Sequence, residues 1–466
     1  MFQKTHRAKV NIGGQKRPDK NFMASIQIQR SASARMYGGN KTIIIMRILP
    51  LFITVLLSGV FACTQQTADK PPTGKSTFAA LNTLELPKLL DRREALRNGK
   101  EWDGVQNFYA AQCAALRKDP QDPEAMLHLA EVFIQEARVT GEHPHYYPAA
   151  LKALEPVVTA LSAKTSRTPQ ETDLYFRALS NKANVQLSLH DFANALETAT
   201  AAVAINPYNA QIYGALVDAN VELGRYAKAI EMADKMVGIR PDLRSYSRVS
   251  YLREIYGDIP GAIEAMDMAV KAGYPGQESS AWARLTLGNL YKTYGNWKKA
   301  EEQYQTILVE RPDYPFALAA LAEVEKHRKA YDNAETLLKK ACDIIPEVSF
   351  YESLAQLYRV SNRENEAMAL IPKIEEMMAE DTQKGHNMSL EYAALYTNLK
   401  PDYDKALQFA LQEYARRPDN IDVNRRLALI YAAKKDAAKT KEHFAKASAT
   451  GSKPPELAAV KKGMTI

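Results

Sequence analysis

Residues Ala281 to Pro312 read AWARLTLGNLYKTYGNWKKAEEQYQTILVERP, and the rest of the chain can be read outward from this stretch. At 3.6 residues per turn Leu287, Gly288 and Tyr291 share one helical face, and Ala300, Tyr304 and Ile307 share another. Gly295 and Asn296 interrupt the pattern between them, and Pro312 cannot continue the second run. The spacing therefore predicts two antiparallel helices joined by a tight turn. Gly288 and Ala300 are small where the two faces meet, so the helices can approach closely. One such pair cannot bury its apolar surface alone, and it calls for neighbours.

The neighbours are visible as a period. Pro207, Pro241 and Pro275 lie 34 residues apart; Pro312 follows after 37, Pro346 after 34 and Pro418 after 72. Ala195, Ala229, Ala262, Ala300, Ala334, Ala367 and Ala406 recur in phase with them. Two markers in one register define a repeat array rather than a compact domain.

The unit resembles the tetratricopeptide repeat, whose pattern sets Leu-Gly, Tyr, Gly-x-aromatic, Ala, aromatic, Ala and Pro at fixed offsets. Gly295-Asn296-Trp297 matches its turn, and only the last Ala is replaced, by Ile307. The next unit matches through Leu318, Ala322, Tyr331, Ala334, Ala341 and Pro346, and an earlier one through Tyr213, Gly224, Tyr226, Ala229 and Pro241. The resemblance implies an all-α fold, a right-handed α-solenoid of stacked helix pairs, over residues 174–450. Residues 81–173 read as degenerate N-terminal repeats, with Trp102 and Tyr109 on one helix and Leu129, Ala130 and Phe133 on another. Within them Gly141 to Pro148 reads as an inserted loop. The unit at 244–278 lacks a residue before Ala262, and 451–466 reads as a C-terminal tail.

Where such arrays bind, the family uses a concave groove lined by the first helix of each pair at its second, fifth, ninth and twelfth positions. Transferred residue by residue, these are Arg177, Ser180 and Asn184; Gln211, Gly214 and Asp218; Trp282, Leu285, Asn289 and Lys292; and Phe316, Ala319, Glu323 and Lys326. Trp282 and Phe316 are candidate anchors for a peptide or helix, unless they pack on neighbouring helices. The family's clamp for C-terminal carboxylates, a Lys one turn before an Asn, is absent: Ser180 precedes Asn184 and Leu285 precedes Asn289.

Upstream, MRILPLFITVLLSGVFAC spans Met46 to Cys63: one cation, an apolar run from Ile48 to Phe61, then Ala62. This is the pattern of a signal peptide over 46–62, too short to span a bilayer as a helix. Val60-Phe61-Ala62-Cys63 resembles the lipobox of bacterial lipoproteins, which implies acylation at Cys63 and a membrane anchor. Phe61 is bulky for that motif, and the same residues also suit ordinary signal peptidase cleavage. Residues 63–80 then read as the lipidated Cys and a flexible tether. Residues 1–45 have no apolar face and read as untranslated or a disordered leader, with the true start at Met36 or Met46. By resemblance, Thr64 after the Cys implies the outer membrane, facing the periplasm or the surface.

The full chain carries 61 Lys and Arg against 54 Asp and Glu, but residues 1–62 hold ten of the bases and one acid. Residues 63–466 keep 51 bases and 53 acids, a net charge of −2 that offers no global attraction for nucleic acid. Cys113 and Cys342 lie in helical apolar patterns and read as small buried hydrophobes. His143-Pro144-His145 is the only close His pair after the leader, and with only Glu142 nearby it reads as a structural loop. Tyr226, Tyr291, Tyr304, Tyr331, Tyr358 and Tyr431 fall at packing positions, and the array contains no nucleophile, phosphate-loop or metalloprotease motif. The expectation is a non-enzymatic, exported and membrane-anchored scaffold, without cofactor or metal, that holds another protein in its groove for envelope assembly or as an adaptor. The alternative is a glycan- or nutrient-binding surface lipoprotein resembling SusD. Such proteins set a few repeats among irregular segments, whereas this chain repeats nearly to its end.

Overall fold

The structure, a computed structural model, describes residues 87–464. The signal pattern, Cys63 and the tether lie outside the described residues. Among the described residues all regular elements are helical, apart from turns and bends. Helix α1 (Lys100–Lys118) precedes nine pairs, the first being α2 (Pro123–Thr140) with α3 (His143–Ser162). Next come α4 (Pro169–Ser188) with α5 (Phe192–Ile205), α6 (Ala210–Glu222) with α7 (Tyr226–Ile239), and α8 (Leu243–Ile255) with α9 (Ile259–Lys271). The central pairs are α10 (Glu278–Thr293) with α11 (Trp297–Glu310), α12 (Pro315–His327) with α13 (Tyr331–Ile344), and α14 (Val348–Val360) with α15 (Glu364–Gln383). The last are α16 (Ser389–Asn398) with α17 (Tyr403–Arg416) and α18 (Ile421–Ala433) with α19 (Ala437–Ala447), followed by α20 (Pro455–Met464). Each pair packs on the next, as an α-solenoid requires.

The periodic residues do what their sizes allow. All seven marker alanines are buried, from Ala195 to Ala406, because a larger side chain there would hold the paired helices apart. A Cβ on Gly288 would lie 2.4 Å from a ring carbon of Tyr304, so this crossing needs glycine. The turns between paired helices repeat one left-handed residue: His190, Gly224, Gly257, Gly295, Lys329, Asn362 and Lys435 all have positive φ. The following N–H closes the turn onto the first helix, as from Arg225 to the Asn220 carbonyl and from Asn296 to the Tyr291 carbonyl, both at 2.7 Å.

Three expectations are corrected. Gly141 to Pro148 is not an inserted loop: Gly141 takes φ 72° and α3 begins at His143. Pro144 fits its first turn, where no N–H is needed, and Tyr146 and Tyr147 are buried against α2. The C-terminal tail contains α20, whose Leu457 and Val460 cover the end of the array. The residue missing near Ala262 is lost in the turn before α8, where the N-cap Asp242 directly follows Pro241, whereas the N-cap Asn209 stands two after Pro207. Cys113 and Cys342 are both free thiols; Cys342 is buried as expected, whereas Cys113 is only half-buried against the core, and burial pushes the Cys342 thiol up to about 12.

Ahead of α1, Arg92 fastens the N-terminal segment to the array. It is buried, donates to both carboxylate oxygens of buried Glu136 at 2.8 and 2.6 Å, and stacks 5.1 Å from the Trp102 ring.

The solenoid winds tightly enough for its second turn to rest on its first. Turns within early pairs meet loops between later pairs at separations of 195 to 198 residues, about six 34-residue units. The Asn387 N–H donates to the Leu189 carbonyl at 3.0 Å, Asn420 to the Glu222 carbonyl at 2.9 Å, and Lys453 to the Gly257 carbonyl at 2.9 Å. Arg417 bridges Glu222 below it and Glu413 on its own helix. The approach is backbone to backbone: a Cβ on Gly224 would lie 2.5 Å from the carbonyl carbon of Asp419, and one on Gly257 would lie 2.3 Å from the Gly451 oxygen.

Candidate functional site

The inner wall is formed by the first helices of successive pairs, which contact one another along the array. Where the second turn roofs the first, a cavity of about 470 Å³ opens between α2, α4, α6 and α8 below and α16 and α18 above. Asn184, Asp218, Arg138 and Arg248 line it, with Glu222, Glu391 and Arg417 from the seam.

The structure separates the expected groove residues into those already engaged and those open to a ligand. Arg177 is engaged, donating to Glu124 at 3.0 Å and Glu131 at 3.2 Å. Asp218 accepts from Arg248 at 2.9 and 2.5 Å, and a Cβ on Gly214 would meet that guanidinium at 2.9 Å. Asn289 accepts from the Tyr304 hydroxyl at 2.8 Å, and Lys326 donates to Glu323 at 2.6 Å. Phe316 packs on Tyr314 and Phe350, with centroids 5.7 and 5.3 Å away, and so serves the wall. Trp282 is 43 % exposed and makes no ring contact, Gln211 is exposed, and Asn184 faces the cavity. Lys292 is half-buried with no hydrogen-bond or ion-pair partner, and burial lowers its pKa despite nearby Glu323.

The sequence reading missed the inner residues of the irregular units. Taking the left-handed turn residue as position fifteen, Gly257 makes Arg244 second, Tyr251 ninth and Glu254 twelfth, and Gly141 makes Arg138 twelfth. The turn glycine was the signal that could have found them. Counting from a prolines-and-alanines register placed the 244 unit one residue late.

These residues give the lumen its electrostatics. Tyr251 is exposed yet ringed by the wall, and burial raises its phenol well above the ordinary value, with Asp422 and Glu222 adding to the effect. Burial raises Glu222 to about 7 against the opposing pull of Arg417. It raises Glu352 to about 7 as well, helped by Glu391 and resisted by Arg426, whose own pKa burial lowers. Charges here are poorly hydrated, so each one interacts strongly with whatever enters. Among the described residues no cluster of three His, Cys, Asp or Glu side chains is placed to hold a metal ion.

Such an arrangement, a charged and partly aromatic lumen inside stacked helix pairs, is that of an α-helical repeat protein. Tetratricopeptide repeat family models match residues 186–254 and 285–349. The chain is a tetratricopeptide repeat protein, and its fold is that of a protein–protein interaction scaffold, a class that is typically non-catalytic. Similar solved structures include the Cut9–Hcn1 hetero-tetramer of the APC/C, at 15 % identity and TM-score 0.40, covering 80 % of this chain and 61 % of that one. A tetratricopeptide repeat protein from Parabacteroides merdae aligns at 18 % identity and TM-score 0.35, over 62 % of this chain and 99 % of its own. A third, from Thermus thermophilus, aligns at 21 % identity and TM-score 0.36, over 43 % of this chain and 98 % of its own. No curated protein sequence matches the chain.

Proposed function

We propose that this chain is an exported, lipid-anchored scaffold that holds another protein in the lumen of its superhelix, in an envelope assembly or adaptor role. The observation that carries the binding part is Trp282, a large aromatic at an inner position that is 43 % exposed and has no ring to pack on. Exposed aromatics in a groove favour burial against a partner, because rigid rings gain contact area with little loss of conformational freedom. Phe316, one unit on, satisfies itself within the wall, which leaves Trp282 as the anchor. Export and anchoring rest on the apolar run ending at Cys63, and Thr64 supports the outer membrane, facing the periplasm or the surface. No described helix is long and apolar enough to cross a membrane.

A photo-cross-linking amino acid placed at Trp282 in the living cell tests the reading, with Val309 on the outer helix α11 as control. The expected result is a discrete protein adduct from position 282 and none from 309. The same adducts from both positions, or none from 282, would remove the lumen as the binding site.

A further inference from the structure

The seam between the two superhelical turns has a fixed polarity. Turns within pairs supply carbonyls, those of Leu189, Glu222 and Gly257; loops between later pairs supply donors, the Asn387 N–H, the Asn420 side-chain amide and the Lys453 ammonium, at 3.0, 2.9 and 2.9 Å. Because the second turn covers only part of the first, both surfaces are left unfinished. The turns at His190, Gly224 and Gly257 are covered, whereas those at Gly295, Lys329, Asn362 and Lys435 are exposed. The carbonyls of these four residues accept no hydrogen bond among the described residues. Gly295 keeps the geometry of Gly224, with φ 87° against 74°, yet nothing lies within 4 Å of its built Cβ where that of Gly224 meets the Asp419 backbone at 2.5 Å.

The opposite edge is unfinished in the complementary sense. The loops that follow α13, α15, α17 and α19 rest on the chain's own first turn. Among the described residues no hydrogen bond or ion pair from another superhelical turn reaches the loops after α5, α7 and α9. This rim carries Tyr208, 84 % exposed, Tyr274, 78 % exposed, and Ile239 at the end of α7. Tyr208 follows Pro207 as Asp419, the residue seated on Gly224, follows Pro418. Asn209 and Asn420 each cap the next helix through Oδ1, but only Asn420 also donates across a seam. The Asn209 amide and both tyrosine hydroxyls are donors without an acceptor among the described residues. Exposed tyrosines of this kind, apolar in the ring and polar at the tip, are the side chains that protein interfaces favour.

We infer that the loop rim holding Tyr208 and Tyr274 receives the turn rim of a second copy of this chain, so that the seam continues from one molecule to the next. Donors on one rim face acceptors on the other, as within the chain. The spacing also agrees: Gly295, Lys329 and Asn362 recur after 34 and 33 residues, and Pro207, Pro241 and Pro275 after 34. The two partners use different surfaces, so the contact is head-to-tail and each dimer keeps one open rim of each kind. Assembly therefore proceeds beyond the dimer. Both rims lie on the edges of the superhelix, and the inference is independent of the lumen and its proposed ligand.

The test uses the full chain in a mild detergent, read by sedimentation velocity. Wild type is expected to grow in mass with concentration up to about 100 µM. Tyr208→Glu/Tyr274→Glu blocks the loop rim and Lys329→Glu/Val360→Glu the turn rim; all four residues are exposed, so helical circular dichroism should not change. Each double variant alone should remain a monomer. Mixed, they should form a one-to-one dimer and nothing larger, because each keeps the rim that the other lacks. A wild-type chain that stays monomeric, a variant that associates as wild type does, or a mixture that fails to pair would overturn the head-to-tail seam. A photo-cross-linking residue at Tyr274 in the cell should yield an adduct with a differently tagged second copy. An adduct confined to one chain, to lipid or to another protein would give the rim a different occupant and overturn the inference.

Discussion

The hydroxyl of Tyr226 accepts a hydrogen bond from the backbone N–H of Ile421 at 2.8 Å, across 195 residues of chain. Tyr226 is the aromatic that follows a repeat's turn, a position that elsewhere serves its own helix pair. Here it also satisfies the first N–H of a helix one superhelical turn away. Tyr226→Phe keeps the ring and leaves that buried N–H without a partner, at a cost of about 1–2 kcal/mol. Amide hydrogen exchange should show faster exchange around residues 420–424 with the rest of the array unaltered; protection equal to wild type would mean that the seam does not depend on this bond.

Glycine has two uses in these turns, and they can be separated. Gly295 has φ 87° and nothing within 4 Å of a built Cβ, so Gly295→Ala should cost only the left-handed strain, about 1 kcal/mol. Gly224 has φ 74° and the Asp419 backbone in the way, so Gly224→Ala should cost about 3 kcal/mol. Urea denaturation midpoints of the two variants compare them directly. Equal losses would show that the second turn gives way freely.

Glu136 neutralises Arg92 in a site from which water is excluded. Glu136→Ala leaves the buried guanidinium with Glu101 at 3.0 Å as its one carboxylate and the Leu96 carbonyl at 3.2 Å, and should destabilise the N-terminal segment by about 3 kcal/mol. Limited proteolysis should then cut within residues 88–99 faster than in the wild-type chain; equal rates would show that this ion pair does not hold the segment.

Glu352 sets a pH dependence whose direction follows from its burial. Its folded pKa is raised to about 7 from an unbound value of 4.5, so between these limits the folded chain holds a proton that the unfolded chain has released. Its contribution is complete below about pH 4.5 and is lost as pH rises to about 7. Glu352→Gln removes the loss and should be more stable than wild type at pH 8 by on the order of 2 kcal/mol, with the two converging near pH 4.5. Parallel stability curves would show that this carboxyl titrates normally.

The anchor is tested at Cys63. Cys63→Ala should move the protein from the membrane to the soluble fraction on cell fractionation. Continued membrane association would exclude an acyl chain as the sole tether.

What could be read from the residues alone was whatever depends on neighbours within one or two repeats. The Ala300 and Gly288 crossing, the Gly295 turn and the helix ending at Pro312 are local packing, repeated every 34 residues, and so they define helix pairs and a solenoid. The exposed Trp282 followed from the same register. Residues 141 to 148 were misread because two prolines and two histidines suggest a loop, and only the burial of Tyr146 and Tyr147 against α2 makes them a helix. The pitch was decided in the tertiary structure, because it is the sum of many small rotations between pairs, none of which leaves a mark in its own unit. That pitch brings Asp419 onto Gly224 and roofs the cavity that Arg138 and Arg417 line from opposite turns. Side chains this far apart in sequence share no periodic pattern; only the accumulated twist of the array makes them neighbours.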